Sequence, residues 1–235
     1  MVHNYDTSTG RLSTFIIFDL DDTLFAERDY LLSAYREISR RLEREIGFDA
    51  ARAYEIMTTT NANAFDALTS AIGGAREDIW MVDIYRTHIP DIVLAPGVAD
   101  ALATLRRLGY QMGILTEGRS LTQSNKIEAL GLRRFMTAGP MIATPRCRGG
   151  EGKSFAAYAA SNKADRYISV GDNPAKDFAE PNALGWPTIA IRDRGFNIHP
   201  QNFDAVAPGS RPRHIIDSVD QLPDLLGRGD IFSHL

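Results

Sequence analysis

The chain has 235 residues, of which 44% are hydrophobic and 24% are charged, a composition close to that of ordinary globular proteins. Its 26 lysines and arginines are outnumbered by 30 acidic residues, for a formal net charge of −4, which argues against a nucleic-acid polymer as partner because such partners usually require a net basic face. The single cysteine excludes an intrachain disulfide. No apolar run is long enough to span a bilayer, and the first ten residues lack the apolar stretch of a secretory signal. We therefore expect a cytoplasmic protein with no membrane contact.

The first part of the chain predicts one strand followed only by helices. Residues 15–18 are uniformly apolar and run into acids, which is typical of a parallel strand buried on both faces. An amphipathic helix follows, because apolar side chains recur at spacings of four, three and four before Gly47, a residue suited to end a helix. These apolar positions are Leu31, Tyr35, Ile38 and Leu42. No strand pattern occurs between about residues 26 and 89, so this stretch is interpreted as an inserted helical cap.

From about residue 92 onward, strand and helix patterns alternate, which predicts a parallel α/β sheet. Gly109 and Gly131 are placed to end the first two helices of this part. In chain order the predicted segments are a helix over 98–108, a strand over 110–115, helices over 121–130 and 153–160, a strand over 166–170, a helix over 174–184, a strand over 188–191 and a weaker strand over 214–216. Residues 1–11, ahead of the first strand, are expected to form a loose leader.

Acidic residues follow two of the predicted strands at their carboxyl ends, where parallel sheets bind ligands. Asp19, Asp21 and Asp22 come directly after the first strand, and the two-residue spacing of Asp19 and Asp21 points both side chains to one side of an extended backbone. Asp172 and Asp177 follow a later strand. Neighbouring carboxylates repel, so such a cluster either raises a pKa or recruits a cation. Mg²⁺ suits a site built from oxygen ligands and also bridges to phosphate.

Two further polar residues are candidates for contacting a phosphate group. Thr116 ends the strand over 110–115, and its hydroxyl and the backbone N–H groups that follow it suit phosphate oxygens. Lys153 is a point charge able to neutralise a transferring phosphoryl group. The run Gly152-Lys153-Ser154 also invites comparison with a P-loop, but that motif needs a glycine at the position of Cys147. No catalytic role is assigned to Cys147.

Taken in order, these segments resemble the four motifs of the haloacid dehalogenase-like (HAD) hydrolase superfamily. Matched residue by residue, the resemblance implies that Asp19 is the nucleophile, Asp21 the general acid/base and Lys153 the lysine of the third motif. Thr116 matches the hydroxyl of the second motif, and with Glu117 and Lys153 it is expected to contact the substrate. An acid at Asp21 favours phosphoryl transfer over dehalogenation, because a halide leaving group needs no proton.

The resemblance also implies a cofactor and an architecture. Mg²⁺ is expected at Asp19, at the backbone carbonyl of Asp21 and at Asp172, with Asp177 either binding the ion or lying behind its ligands. The fold class implied is α/β, a Rossmann-like parallel sheet core with an inserted all-helical cap of the C1 type. The expected bounds are 1–25 and 91–235 for the core and 26–90 for the cap. The matching pattern covers roughly residues 15–191 and includes Pro96-Gly97-Val98, Gly113-Ile114-Leu115-Thr116, Gln123 and Lys126.

The function implied is Mg²⁺-dependent hydrolysis of a phosphomonoester, a small phosphorylated metabolite, through an aspartyl-phosphate. Two alternatives stay open at this point: a sugar phosphomutase of the same superfamily, and a non-catalytic binding or regulatory domain that kept the fold. Glu117 stands where relatives often have asparagine, and an acid beside a phosphate is unfavourable unless it faces away or binds a positive substrate group. No oligomeric state is predicted.

Several other positions are interpreted as structural. Asp22 is expected to cap or buttress its loop. Trp80 and Tyr85 are expected to pack in the interior of the cap, and the pair Gly73-Gly74 to break a helix. The five histidines are scattered along the chain, so a histidine metal site is not predicted.

Overall fold

The computed structural model describes residues 12–145, 149–199, 201–229 and 231–232. The predicted leader over 1–11 and Cys147 lie outside the described residues. A six-stranded sheet forms the centre of the fold, with strand order β3-β2-β1-β4-β5-β6 and every neighbouring pair parallel. The strands are β1 (Thr14–Phe18), β2 (Gln111–Glu117), β3 (Met141–Ala143), β4 (Arg166–Gly171), β5 (Thr188–Ile191) and β6 (His214–Ile216). The α/β class is thereby confirmed, including the weaker strand over 214–216.

Helices cover both faces of this sheet, which explains why its strands are continuous apolar runs. The helices are α1 (Glu27–Ile46), α2 (Ala50–Thr59), α3 (Ala64–Ala71), α4 (Asp78–Thr87), α5 (Pro96–Arg107), α6 (Ser120–Ala129), α7 (Phe155–Ser161), α8 (Ala179–Ala183) and α9 (Leu222–Gly227). In β1, Ile16 and Phe18 join the larger apolar cluster with α5, α6 and α9, whereas Phe15 and Ile17 pack on the other face with α7. Successive side chains of a strand alternate between faces, so a strand covered on both sides must be apolar throughout.

The sequence prediction needed correction at two elements. The short strand β3 was not predicted, because its three residues are only half-buried and too few to show a periodic pattern. The helix predicted over 174–184 is reduced to α8, because residues 173–177 form a turn instead. In that turn the backbone N–H of Asn173 donates to Asp177 Oδ2 at 2.8 Å, and the N–H of Lys176 donates to the carbonyl of Asn173 at 3.0 Å.

Helices α1–α4 form a separate unit between β1 and α5, called here the helical insert. Its interior is its own apolar cluster, distinct from the two clusters that flank the sheet. The helix α1 ends at Gly47 in the left-handed conformation, with φ of 70°, as its glycine predicted. Gly73 and Gly74 lie between α3 and α4, both with positive φ, which confirms the predicted helix break. The members of the cluster are Tyr35, Ile38, Leu42, Ala53, Met57, Leu68, Met81 and Ile84.

The two aromatic residues interpreted as packing residues do pack in this insert. Tyr85 lies edge-on to Tyr30 with ring centroids 5.3 Å apart, and it also contacts the ring of Phe65. Trp80 is partly buried against the insert cluster, and Arg76 covers its ring. Among the helices the structure describes, none is both long and apolar enough to cross a membrane.

Candidate active site

The predicted polar residues converge at the carboxyl edge of the sheet because their strands are neighbours in parallel register. Phe18 of β1 pairs with Ile114 of β2 on one side and with Val170 of β4 on the other. Asp19 continues this ladder, since its backbone N–H donates to the carbonyl of Val170 at 2.9 Å. Thr116 is the last residue but one of β2, and Asp172 follows directly after β4, so three strand ends deliver side chains to one place. This edge is where open parallel sheets bind ligands.

Lys153 reaches the same place from the loop before α7. Its Nζ lies 2.7 Å from Asp19 Oδ1 and 2.6 Å from Asp177 Oδ1, and its side chain is 3% exposed. Burial alone would lower the pKa of Lys153, but the carboxylates of Asp177 and Asp19 outweigh it and raise the pKa above its ordinary value. The lysine is therefore a fixed positive charge shared by two acids.

One lysine does not balance the negative charge gathered here. Carboxylate oxygens of Asp19, Asp172 and Asp177 lie within 4.8 Å of one another. Burial, opposed by Lys153, raises the pKa of Asp19 to about 7, and burial together with Asp19 and Asp177 raises the pKa of Asp172 to about 9. Carboxyl pKa values rise in this way where burial is not offset by enough nearby positive charge. Because every donor is a hard oxygen, the cluster fits a divalent cation such as Mg²⁺.

Asp177 has contacts unlike those of the other two acids. It is fully buried, and its Oδ1 is occupied by Lys153 while its Oδ2 accepts from the N–H of Asn173. Its backbone carbonyl accepts from Ser169 Oγ at 3.0 Å. Gly171 makes room for it: a Cβ on Gly171 would stand 2.5 Å from Asp177 Oδ2. Asp177 thus anchors the lysine, whereas Asp172 borders the cavity of the site and its Oδ2 accepts a hydrogen bond from Asn197 Nδ2 at 3.1 Å.

Asp21 is held by two residues of α6 that the sequence interpretation gave no role. Lys126 Nζ lies 2.7 Å from Asp21 Oδ1, and Gln123 Nε2 donates to Asp21 Oδ2 at 2.8 Å. The same amide nitrogen donates to Thr116 Oγ1 at 2.7 Å. Both residues are 2% exposed, and their i, i+3 spacing places them on one face of the helix. Both residues belong to the pattern that resembles the HAD superfamily, and that match is the sequence signal that pointed to them without a role.

Asp22 has the structural role expected of it. Among the described residues, Asp22 is the one non-glycine residue with a positive φ, 54°. Its Oδ1 accepts from the N–H of Glu27 at 2.8 Å, and its Oδ2 accepts from the N–H of Ile198 at 3.2 Å. The carboxylate therefore caps the start of α1 and ties it to the loop after β5.

Glu117 does not stand unpaired in the site. Its carboxylate lies 2.8 Å from Lys176 Nζ, so the positive partner is supplied by the protein. Glu27 is a second additional acid: burial raises its pKa to about 7, and the nearby Lys126 opposes this shift. Glu27 and Glu117 both line a cavity of about 80 Å³ at this site. It is lined by Asp19, Asp21, Asp22, Glu27, Thr116, Glu117, Lys153, Asp172, Asn173, Lys176 and His199.

Comparisons with known proteins identify the family of the chain. The family model described as haloacid dehalogenase-like hydrolase matches residues 16–191. The chain is 26% identical over 226 residues to a protein of Methanopyrus kandleri named glyceraldehyde 3-phosphate phosphatase, covering 88% of this chain and 97% of that one. It is 23% identical over 241 residues to the ribulose-1,5-bisphosphate 5-phosphatase of Halopiger xanaduensis, covering 92% and 100%.

Solved structures share the fold. A haloacid dehalogenase-like hydrolase from Burkholderia xenovorans superimposes with a TM-score of 0.60 at 19% identity, over 93% of this chain and 98% of that one. The HAD-hydrolase YfnB from Bacillus subtilis, whose structure is bound to magnesium, has a TM-score of 0.60 at 18% identity, over 92% and 99%.

Proposed function

The chain belongs to the haloacid dehalogenase-like hydrolase family, and from this premise we propose that it is a Mg²⁺-dependent phosphatase that cleaves small phosphomonoesters through an aspartyl-phosphate on Asp19. One observation carries the proposal: Lys153 Nζ lies 2.7 Å from Asp19 Oδ1 beside a cavity that Asp21, Thr116 and Asp172 also line. A nucleophile, an acid, a hydroxyl and a cation around one cavity are the groups that phosphoryl transfer requires.

The donor set supports a divalent cation held by Asp19 and Asp172, with the backbone carbonyl of Asp21 as a further oxygen ligand. Asp177 is close enough to belong to the same group, but its contacts with Lys153 and Asn173 favour a supporting role. When bound, Mg²⁺ supplies positive charge beside the phosphoryl oxygens.

In the first step, a carboxylate oxygen of Asp19 attacks phosphorus and the ester P–O bond breaks. Asp21 gives its proton to the departing oxygen, so the organic product leaves as a neutral alcohol. Lys153 lies close enough to Asp19 to favour its ionised, nucleophilic form. Lys153 and the Thr116 hydroxyl then stabilise the negative charge on the phosphoryl oxygens.

In the second step, Asp21 takes a proton from a water molecule whose oxygen attacks the same phosphorus. The bond from phosphorus to Asp19 breaks, the carboxylate is regenerated and inorganic phosphate is released. The barrier of uncatalysed phosphomonoester hydrolysis is very high, and an enzyme must lower it by on the order of 20 kcal/mol or more. Splitting the reaction into two steps through a covalent intermediate, with Asp21 acting in both, contributes to that lowering.

The substrates we propose are phosphorylated sugars or their short-chain relatives. Support comes from the two relatives named as glyceraldehyde 3-phosphate and ribulose-1,5-bisphosphate phosphatases. The additional acids Glu27 and Glu117 at the cavity are suited to accept hydrogen bonds from substrate hydroxyls.

We further propose that residues 26–90 act as a cap on a core formed by 1–25 and 91–235. Two linkers, 22–26 and 88–95, join the helical insert to the sheet, and the insert residue Glu27 lines the cavity. Hydrogen exchange with and without orthovanadate, in the presence of Mg²⁺, tests this. We expect altered exchange in both linkers, and linkers that exchange identically with and without vanadate would contradict a cap that moves.

A phosphate-release screen over a panel of metabolites tests the function. The panel should include glyceraldehyde 3-phosphate and ribulose 1,5-bisphosphate, assayed with Mg²⁺ and then with EDTA. We expect turnover that EDTA abolishes and that Asp19→Asn removes while the melting temperature stays within a few degrees. Turnover that persists in EDTA would refute the metal assignment, and near-native activity of Asp19→Asn would refute the nucleophile.

A further inference from the structure

We propose that Gln123 and Lys126 are positioning residues that hold the Asp21 carboxyl group in the orientation from which, when protonated, it gives its proton to the leaving group. The inference rests on the proposed function of Asp21 as general acid, and it adds a requirement: the acid works only while α6 holds both of its oxygens. Lys126 contacts Oδ1 and Gln123 contacts Oδ2, at 2.7 and 2.8 Å. A carboxylate fixed at both oxygens cannot rotate about its Cβ–Cγ bond.

Lys126 is buried rather than exposed at the surface. Its side chain is 3% exposed, and its Nζ lies 4.3 Å from the ring centroid of Tyr30, an attractive contact between cation and aromatic face. Its second anionic partner is Glu27, 3.7 Å away. Burying a lysine is costly unless it is paired, and here Asp21 is the closer of the two acids.

The amide of Gln123 can adopt only one useful orientation. Its nitrogen donates to Asp21 Oδ2 and to Thr116 Oγ1, whereas the flipped amide would present its carbonyl oxygen to a carboxylate. Both N–H groups of the amide are therefore used. Because Thr116 accepts this hydrogen bond, its own hydroxyl proton is left to donate to a phosphoryl oxygen. One side chain thus aligns the acid and the phosphate-binding hydroxyl together.

The chemistry predicts a signature that distinguishes positioning from general structural support. An alkoxide is a poor leaving group and needs a proton as the P–O bond breaks, whereas a nitrophenolate leaves readily without one. A misaligned Asp21 therefore impairs cleavage of an alkyl phosphate far more than cleavage of p-nitrophenyl phosphate. The ratio kcat/KM isolates this first step, because it excludes the later hydrolysis of the aspartyl-phosphate.

The experiment compares Gln123→Met and Lys126→Met with Asp21→Asn and with Glu128→Gln, an exposed control on the same helix whose partner is Arg133. For each protein, kcat/KM is measured on p-nitrophenyl phosphate and on the best alkyl phosphate of the screen. We expect kcat/KM on the alkyl phosphate to fall about 100-fold in both α6 variants, and that on the aryl phosphate less than tenfold. Glu128→Gln should match the unmodified protein on both substrates.

Equal losses on the two substrates in both α6 variants would overturn the inference if Asp21→Asn shows the leaving-group difference. If Asp21→Asn also lacks that difference, the acid role in the proposed function is wrong and the inference is overturned with it. Should Lys126→Met fail to fold, Gln123→Met decides the question alone, because its amide is uncharged and its removal leaves the lysine pair intact.

Discussion

Gly171→Ala should disable the site without changing any group that performs chemistry. Gly171 ends β4, and a Cβ there would stand 2.5 Å from Asp177 Oδ2 and 2.7 Å from Asp177 Cβ. To regain an ordinary contact of 3.4 Å, Oδ2 must retreat by about 0.9 Å. The 2.8 Å hydrogen bond from the N–H of Asn173 cannot survive such a shift, and the 2.6 Å contact of Asp177 with Lys153 must lengthen or drag the lysine with it.

The expected magnitudes follow from these contacts. Overpacking of a buried site and loss of one hydrogen bond to a carboxylate together cost about 3–5 kcal/mol of the free energy of unfolding. For a chain of this size that lowers the melting temperature by roughly 10 °C. Displacement of Lys153 by nearly 1 Å relative to Asp19 lowers kcat/KM about 100-fold, because positional errors of this size are costly in catalysis.

Scanning calorimetry and phosphate release, assayed well below the melting temperature, measure the two effects separately. Gly209→Ala is the matched control, since a Cβ there meets nothing within 4 Å. The reasoning is refuted if Gly171→Ala melts within 2 °C of the unmodified protein and retains at least half of its kcat/KM.

The remaining predictions concern stability. Gly113→Ala places a Cβ 2.2 Å from the hydroxyl of Tyr158 and should lower the free energy of unfolding by about 2–4 kcal/mol; an unchanged denaturation midpoint in urea would contradict this. Asp22→Ala removes the acceptor of two backbone N–H groups, that of Ile198 among them, and should cost about 2–3 kcal/mol, while Asp22→Asn, which keeps one acceptor oxygen, costs less; an unchanged denaturation midpoint for Asp22→Ala would contradict the capping role. Burial lowers the pKa of His88 below its ordinary 6.5, so the unfolded chain binds a proton that the folded chain resists. Its contribution to stability is complete above pH 6.5 and is lost as the pH falls below that value; His88→Gln should unfold with a weaker dependence on pH between 7.5 and 5.5, and parallel curves for the two proteins would show that His88 does not titrate on unfolding.

The sheet was largely predictable from the sequence because a parallel strand covered on both faces leaves an unbroken apolar run. Residues 15–18, 110–115 and 188–191 each correspond to a strand of the structure. Where an element has a mixed environment, the pattern fails. The strand β3 has three half-buried residues, and the turn before α8, predicted as helix, is held by the carboxylate of Asp177.

The polar residues at the strand ends were predictable for the same reason, since topology alone brings parallel carboxyl ends together. Gln123 and Lys126 matched the family pattern, but their contacts with Asp21 were not predictable, because they join α6 to the loop after β1 across more than 100 residues. The partner of Glu117 was likewise not predictable from the sequence. Its sequence position suggested either an outward orientation or a positive substrate group, and only the three-dimensional structure supplies Lys176 as its counter-ion.

The separation of the apolar interiors has an evolutionary consequence. The buried residues of the insert cluster belong to neither of the clusters that support the strands, whereas Tyr30 of α1 packs in the larger core cluster. We therefore expect substitutions within the insert cluster, but not at Tyr30, to leave the strand ends in place. On the proposed role of the insert as a cap, this cluster is where descendants of this chain would diverge first, by changing the shape around the substrate while the groups at the strand ends stay the same.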